Sequence, residues 1–286
     1  MYESFFGLRE PAFSLTPDPR FLWLSETHRE GLAMLVYGIT RRKGFLLLSG
    51  EVGAGKTTLL RTSLAQVPPD TETALILNTG GLTPGDLLKL IVTEFGLEHV
   101  VKGDSKADRL VAINRLLVER MRLRKNTVLI IDEAQNLGVD ALEEVRMLSN
   151  LETDSEKLMQ IVLIGQPEFL GMLDQPELRQ LRQRIAIEHH VAPLRAHEVV
   201  PYLSHRLRVA GCEYKDIFEE GLENVFYAAT AGCPRLLSLL ADRSLLTAFA
   251  RSSKHVDGMI VEEKAAVAPF RAVSAGISQA DAAASR

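Results

Sequence analysis

Cysteine is almost absent from this chain of 286 residues, since only Cys212 and Cys233 occur. Neither lies in a spacing typical of metal ligands, and two cysteines cannot make the dense disulfide framework of a small secreted domain. We therefore interpret both as small buried side chains of a protein from a reducing compartment.

Long apolar runs are also lacking. No segment approaches the roughly 20 apolar residues needed to span a bilayer. The first residues, Met1–Phe6, lack the basic region and apolar core of a signal peptide. We expect no membrane insertion by this chain, and we expect a cytoplasmic protein.

Positive charge is not in excess, because the formal net charge is −4. This balance argues against a strong overall attraction to nucleic acid or to anionic membranes. Two local basic segments remain, Arg41–Lys43 and Arg120–Lys125, so DNA binding is possible but not favoured. The length fits one large domain or two modest ones.

Short apolar segments alternate with helical patterns through the middle of the chain. Capping signals at Thr27–Glu30, Thr83–Asp86 and Ser105–Asp108 mark helix starts. Five segments have the length and composition of buried strands: 44–49, 73–77, 127–131, 159–164 and 185–190. Strands separated by helices predict an α/β fold, with a five-stranded parallel sheet and helices on both faces.

The pattern changes at both ends of this region. Residues 1–24, rich in proline and aromatics, indicate an extended arm. After Pro193 no strand is expected, and the helices predicted there are at about 196–210, 217–230, 234–250 and 259–267. We expect four regions: an N-terminal arm and helix packing on the core (1–42), an α/β core (43–193), an all-α lid (194–267) and a disordered tail (268–286).

A glycine-rich turn follows the first predicted strand and precedes a predicted helix. Its pattern, Gly50-x-x-x-x-Gly55-Lys56-Thr57, is a Walker A motif, in which loop amides and the helix N-terminus bind phosphate. We expect Lys56 at the β- and γ-phosphates of ATP and the Thr57 hydroxyl at Mg²⁺. The predicted nucleotide-binding residues of this segment are Gly50, Glu51, Val52, Gly53, Ala54, Gly55, Lys56, Thr57 and Thr58.

Two acids close the third predicted strand. Val128–Ile131 is apolar and is followed by Asp132 and Glu133, which is the Walker B arrangement. An acid at the carboxyl end of a buried strand lies where α/β sheets bind ligands. We expect Asp132 to hold Mg²⁺ together with Thr57, and Glu133 to activate the attacking water. The glutamate favours a hydrolase over a kinase, because a hydrolase must orient water.

Further polar residues extend this candidate site. Gln166 follows the fourth predicted strand, from which it could contact the γ-phosphate or the water. Arg235 opens a helix after Pro234 and could reach the nucleotide from the C-terminal helices. Arg179, Arg182 and Arg184 precede the fifth strand. In ring-forming ATPases an arginine in this place acts on the neighbouring subunit's nucleotide, and Arg182 or Arg184 is the favoured candidate here.

Together these motifs resemble the AAA+ superfamily over about residues 1–265. The start of the chain is similar to ExeA/GspA-type ATPases of general secretion, and to ATPases found near pilus and exosortase systems. The strings that carry this resemblance are Tyr2-x-x-Phe5-Phe6-Gly7-Leu8, Pro11-x-Phe13-x-Leu15-Thr16-Pro17-Asp18-Pro19-Arg20-Phe21, Gly50–Thr58, Ile131–Leu137, Gly165–Glu168, Leu181–Ile185 and Gly232–Leu236.

The resemblance implies an AAA+ P-loop NTPase with a C-terminal helical lid. It also implies a homo-oligomer, a ring or filament, that holds ATP and Mg²⁺ at subunit interfaces. Adenine is expected near residues 21–39, with Tyr37 and Gly38 as candidates. Secretion members continue into a membrane helix and a peptidoglycan-binding domain. This chain stops before either, so we expect a truncated or stand-alone relative.

Three functions remain open on these grounds. The first is an ATP hydrolase that drives assembly or remodelling of an envelope export, pilus or polysaccharide system, with a protein partner there. The second is a DNA-linked regulator similar to the transposition ATPases TnsC and TniB, which would use the two basic segments. The third is a nucleotide switch with little turnover.

Overall fold

The computed structural model describes residues 1–16, 18–77, 79–103, 105–152, 157–267 and 269–270. Its strands are β1 (Phe45–Gly50), β2 (Glu72–Ile76), β3 (Thr127–Ile131), β4 (Gln160–Gly165) and β5 (Ile185–Val191). Each begins and ends within one residue of its predicted bounds, so the prediction of these five strands is confirmed.

The helices of the described residues alternate with the strands and then continue alone. Those before β4 are α1 (Tyr2–Phe6), α2 (Glu26–Thr40), α3 (Lys56–Leu64), α4 (Pro84–Glu94), α5 (Lys106–Arg122) and α6 (Val139–Leu148). Those after it are α7 (Pro167–Leu173), α8 (Arg179–Arg182), α9 (Ala196–Ala210), α10 (Glu223–Thr230), α11 (Pro234–Ala250) and α12 (Gly258–Ala265). None of these helices is long and apolar enough to cross a membrane.

The sheet has the strand order β2-β3-β4-β1-β5, and every neighbouring pair is parallel. All strands therefore end at one edge of the sheet, here called the carboxyl edge, and begin at the opposite, amino edge. Strand β4 lies between β1 and β3. The carboxyl ends of β1, β4 and β3 are consequently neighbours along the carboxyl edge.

Both faces of the sheet are covered by helices. Leu47, Leu129 and Leu163 belong to a core that includes the buried side chains of α4, α5, α6 and α7. Leu46 points to the other face, where a Cβ on Gly38 of α2 would lie 2.2 Å from its Cδ2 atom. Burial on both faces explains why β1, β3 and β4 are buried, mainly apolar runs rather than alternating ones, whereas β5 at the edge of the sheet alternates in exposure.

Local capping signals predict two of the three marked helix starts. Thr83 and Ser105 each accept a hydrogen bond from the third residue of their helix, whose side chain accepts one in return. Helix α2 instead begins at Glu26. Thr27 therefore lies in its first turn rather than at the cap position predicted for it.

Residues 1–16 and 18–26, the loop Glu51–Thr58 and the residues described from Ala192 onward form a helical unit, while Thr27–Gly50 and Leu59–Val191 form the sheet unit. Phe13 and Phe21 share a buried core with α9, α10 and α11. We expected the arm and helix of residues 1–42 to pack on the α/β core. The arm instead belongs to the helical unit, and α2 from Thr27 onward belongs to the sheet unit.

Arg206 of α9 fastens the arm to the helical unit. Its guanidinium lies 5.1 Å from the ring centroid of Phe21 and 6.0 Å from that of Phe13. It also donates hydrogen bonds of 2.8 Å to the carbonyls of Ala12 and Ser14. An arginine suits this place because it stacks on aromatic rings and offers several donors in one plane.

Two predictions near the C-terminus need correction. The helix expected at 217–230 is shorter, because α10 covers only Glu223–Thr230 and a separate 3-10 turn at Tyr214–Asp216 precedes it. Phe270, assigned to the tail 268–286, is fully buried in the helical unit, with the Arg243 guanidinium 5.5 Å from its ring centroid. Residues 268 and 271–286 lie outside the described residues.

Candidate active site

The phosphate loop joins β1 to α3 through residues 51–55. Gly53 and Gly55 have φ values of +84° and +94°, a region that favours glycine. The Ala54 N–H donates to the Glu51 carbonyl at 3.1 Å, and the Lys56 ammonium donates to the same oxygen at 3.0 Å. The loop is therefore a tight turn that opens a helix N-terminus, which is the local structure that binds phosphate.

Helix α11 begins against this loop within the helical unit. The Arg235 N–H donates to the Gly53 carbonyl at 3.3 Å, and the Cys233 thiol donates to the Val52 carbonyl at 3.5 Å. Gly232 has a φ of +72°, and a Cβ there would lie 1.8 Å from the carbonyl oxygen of Leu194. Arg235 is thus held next to the loop by its backbone, and its contact with nucleotide stays a prediction.

Gly53→Ala is expected to destabilise this contact. The added Cβ would lie 2.5 Å from the Cβ of Arg235, which cannot move without its backbone. Gly81→Ala is the matched control, because Gly81 has a φ of +73° and open space around it. Both variants carry the strain of a left-handed alanine, roughly 1–2 kcal/mol. In chemical denaturation the free energy of unfolding should therefore fall more for Gly53→Ala than for Gly81→Ala. Equal decreases would contradict the close contact between Gly53 and Arg235.

Asp132 and Glu133 follow β3 directly. Asp132 is 6% exposed, and its N–H donates to the Ile76 carbonyl at 2.9 Å. Its Oδ1 accepts from the Glu133 N–H at 2.9 Å. Glu133 has a φ of +52°, in the left-handed region, at a cost of roughly 1–3 kcal/mol. Such strain persists where neighbouring contacts fix the residue, and it is frequent at active sites.

Three predicted site residues follow adjacent strands at the carboxyl edge. Gly50 ends β1, Gln166 follows β4 and Asp132 follows β3, with β4 in the middle. The Gln166 side chain donates to Oε2 of Glu133 at 3.0 Å. The sheet thus brings the predicted water-activating glutamate and the predicted polar residue of β4 into direct contact.

Two more residues contact Glu133, although neither was predicted as a site residue. With them the set forms what we call the carboxyl-edge cluster, which consists of Thr79, Asp132, Glu133, Gln135 and Gln166. Gln135 donates from its side chain to Glu133 Oε2 and accepts the Gln166 N–H at 3.1 Å. The Thr79 hydroxyl donates to the Glu133 carbonyl at 2.8 Å. The sequence shows only that Thr79 and Gln135 are polar residues shortly after β2 and β3. Their hydrogen bonds to Glu133 and Gln166 depend on which strands are neighbours in the sheet.

The three arginines lie at the other end of the sheet, since β5 begins at Ile185 on the amino edge. Arg184 donates to the Arg146 carbonyl at 3.3 Å and to the Ser149 hydroxyl, and Arg182 pairs with Glu188. Arg179 is exposed, and its side chain makes no hydrogen bond or ion pair with the described residues. None of the three belongs to the carboxyl edge of its own sheet.

Tyr37 and Gly38 lie away from the carboxyl edge. A Cβ on Gly38 would contact Leu46 and Ile187, and the Lys43 N–H donates to the Gly38 carbonyl just before β1 begins. The opposite end of α2 is the one near the end of β5, where His189 Nε2 donates to the Thr27 carbonyl at 2.7 Å. The placement of Tyr37 and Gly38 does not favour the adenine contact expected for them.

The two basic segments meet at the amino edge. The Arg42 guanidinium donates to the carbonyl of Lys125 at 3.0 Å and to that of Arg124 at 3.4 Å. Arg120 is separate, because it pairs with Glu72. We call the converged set the basic surface, and its members are Arg41, Arg42, Lys43, Arg122, Arg124 and Lys125.

The residues present fit Mg²⁺-ATP. The glycine turn and Lys56 suit phosphate, and Asp132 supplies a buried carboxylate at the ligand-binding edge of the sheet. Across the described ranges no group of three or more His, Cys, Asp and Glu side chains could hold a metal ion. Mg²⁺ bound through one or two protein oxygens, with phosphates and water, is the usual arrangement for this ion.

Comparison with known sequences identifies an AAA domain at residues 39–173. The chain is 46% identical over 259 residues to general secretion pathway protein A of Aeromonas hydrophila. That match covers 90% of this chain and 46% of the relative, so the chain spans about half of the relative's length. These findings confirm the resemblance to AAA+ ATPases of the ExeA/GspA type.

Solved structures with the same fold are more distant in sequence. The Aeropyrum pernix ORC2 protein has a TM-score of 0.66 at 15% identity, covering 90% of this chain and 71% of its own. Drosophila ORC bound to DNA has a TM-score of 0.65 at 19% identity, and the match covers 88% of this chain and 63% of the ORC chain. The Thermotoga maritima RuvB branch migration motor has a TM-score of 0.55 at 16% identity, and the match covers 84% of this chain and 68% of the RuvB chain. They confirm the predicted α/β AAA+ fold.

Proposed function

The chain carries an AAA domain and belongs with the AAA+ ATPases of the ExeA/GspA type, and from that premise we propose that it hydrolyses Mg²⁺-ATP as a homo-oligomer. The observation that carries the proposal is the series of residues along three adjacent strands. Gly50 opens the phosphate loop, Gln166 follows the middle strand, and Asp132 and Glu133 follow the third.

Each residue has a distinct role in this proposal. The loop amides and Lys56 bind the phosphates of ATP, and Thr57 and Asp132 hold Mg²⁺, which neutralises charge on the phosphates. Glu133 accepts a proton from the attacking water, and Gln166 orients that water or the γ-phosphate. Arg235 contacts the nucleotide from the start of α11.

Steady-state hydrolysis measured over a range of protein concentrations tests the proposal. We expect Mg²⁺-dependent phosphate release whose rate per subunit rises with protein concentration, together with larger particles in ATP than in ADP by light scattering. Turnover equal to that of Glu133→Gln would favour the nucleotide switch. Turnover independent of concentration, with no change in size, would contradict the oligomer.

An arginine acting on the neighbour's nucleotide would give a specific mixing result. Arg179 is the candidate with the best access, because Arg182 and Arg184 already bond within their own sheet unit. Arg179→Ala alone should lower turnover by about a thousandfold. Mixing it with Glu133→Gln subunits should restore part of the rate, since some interfaces then combine an intact Glu133 with an intact Arg179.

The same mixing applied to Arg182→Ala and Arg184→Ala serves as the comparison. If mixing restores turnover for Arg182→Ala or Arg184→Ala but not for Arg179→Ala, the arginine that acts on the neighbour's nucleotide is the one favoured by the sequence, Arg182 or Arg184. No rescue for any of the three, in oligomers shown to be mixed, would contradict the action in trans.

We propose a cytoplasmic role for this ATPase in assembling or remodelling an envelope export, pilus or polysaccharide system. The support is the 46% identity to general secretion pathway protein A. Affinity purification from the native cell after reversible crosslinking tests it. Recovery of envelope-assembly components, dependent on ATP and lost with Lys56→Ala, is the expected result, and recovery of DNA-processing proteins instead would contradict it.

A DNA-linked regulator is the second candidate, and the basic surface is the observation that favours it. Six cations from two distant segments meet there, joined by the bonds from Arg42 to the carbonyls of Arg124 and Lys125. Duplex DNA binding should then weaken steeply with salt, since neutralised phosphates release counterions.

Charge reversal tests this candidate directly. Arg41→Glu with Arg124→Glu should reduce DNA affinity more than tenfold in the presence of ATP. Lys89→Glu with Lys102→Glu is the control, because it changes the net charge equally at exposed positions outside the basic surface. Equal affinities for the two double variants, or no binding by the wild type, would rule the candidate out.

A further inference from the structure

Within the carboxyl-edge cluster, Gln135 links Glu133, which follows β3, to Gln166, which follows β4. Its side-chain oxygen accepts the backbone N–H of Gln166 at 3.1 Å, and its side-chain nitrogen donates to Oε2 of Glu133. The amide orientation follows from these partners. A backbone N–H can only donate and an ionised carboxylate can only accept, so the reversed amide would lose both bonds.

The carboxylate of Glu133 is held at one oxygen by two amides. Gln135 and Gln166 both donate to Oε2, the latter at 3.0 Å. The backbone of Glu133 is held as well, by the bond from its N–H to Asp132 and by the bond from Thr79 to its carbonyl. A left-handed residue fixed at both its backbone and its carboxylate has a defined direction, which general base catalysis requires.

We infer that Gln135 is a positioning residue for Glu133, which it orients through its donated amide hydrogen bond while the Gln166 N–H fixes Gln135 itself. This inference rests on the proposed ATPase function and adds a residue that acts through the glutamate without contacting ATP. Gln135 takes part in both of these bonds, so it links the residue before α7, Gln166, to Glu133, which follows β3.

Gln135→Glu is the variant that separates positioning from packing. It keeps the size of the side chain and an oxygen that can accept the Gln166 N–H. It removes the donor to Glu133 and places a second carboxylate beside it. We expect kcat to fall about tenfold to a hundredfold, with the Kd for ATP and the melting temperature close to those of the wild type.

Gln66→Glu is the matched control, because it makes the same chemical change at an exposed glutamine after α3. Its kcat should equal that of the wild type. If Gln135→Glu lowers the melting temperature by several degrees, Gln135→Met is used instead, because methionine has a similar volume and no charge. The same fall in kcat with an unchanged Kd for ATP is then expected.

A double-mutant cycle with Glu133→Gln completes the experiment. If Gln135 acts through Glu133, adding Gln135→Glu to Glu133→Gln should leave the residual rate unchanged. An additional tenfold loss in that background, or a parallel loss of kcat and ATP affinity in Gln135→Glu alone, would overturn the inference. Wild-type kcat in Gln135→Glu would also overturn it and would leave the ATPase proposal standing. A wild type no faster than Glu133→Gln would instead refute the ATPase proposal.

Discussion

Glu133→Gln should lower kcat for ATP hydrolysis by about a hundredfold or more, the usual contribution of a general base. The amide cannot accept a proton from water at neutral pH, so activation of the nucleophile is lost. Glutamine has the shape of glutamate and meets the same left-handed backbone at position 133, where φ is +52°. Folding stability and ATP binding should therefore be retained.

Phosphate release and fluorescent-nucleotide binding, measured on the same preparation, check this expectation. Glu177→Gln is the control, since Glu177 is exposed in the 3-10 turn Pro176–Leu178, outside the carboxyl-edge cluster. A Glu133→Gln variant that still turns over ATP at half the wild-type rate would remove Glu133 from the chemistry. A variant that loses ATP binding as well would indicate a role in binding rather than in catalysis.

Lys56→Ala is the second large effect, and here the loss is expected in binding. Lys56 is only 6% exposed, and its ammonium is held at the phosphate loop by the Glu51 carbonyl, 3.0 Å away. Hydrogen bonds to charged groups contribute roughly 1.5–3 kcal/mol each. The Kd for ATP should consequently rise about tenfold to a hundredfold.

Isothermal titration with ATP and Mg²⁺ measures this change directly. Lys89→Ala removes the same charge from an exposed position on α4 and should leave the Kd unchanged. Wild-type affinity in Lys56→Ala would mean that the loop is not the phosphate site. A melting temperature near that of the wild type is needed to attribute the loss to the ammonium.

Much of the fold follows from local patterns in the sequence. The three central strands β1, β3 and β4 are buried along their whole length because helices cover both faces, and they stand out in the sequence as short, mainly apolar runs. The bounds of all five strands could be predicted within one residue. Thr83 and Ser105 mark helix starts because a capping box involves only four consecutive residues. The phosphate loop is equally local, since its glycines are required by its own turn.

Contacts between distant segments could not be predicted in the same way. The aromatic arm meets Arg206, a residue more than 180 positions later, and nothing in residues 1–24 indicates which helices they cover. Gln135 meets Gln166 only because β3 and β4 are neighbours in the sheet. Arg184 differs again, because its bonds to Arg146 and Ser149 are visible only once α6 and β5 are in place.

The basic surface and the carboxyl-edge cluster stand at opposite ends of the same strand. Leu123, 60% exposed between Arg122 and Arg124, lies just before β3, and Asp132 lies just after it. Five strand residues separate the two edges by about 16 Å. A dye attached through a cysteine at position 123 would therefore lie at the amino edge, and energy transfer from it to a labelled nucleotide would measure how far the proposed phosphate site lies from the basic surface.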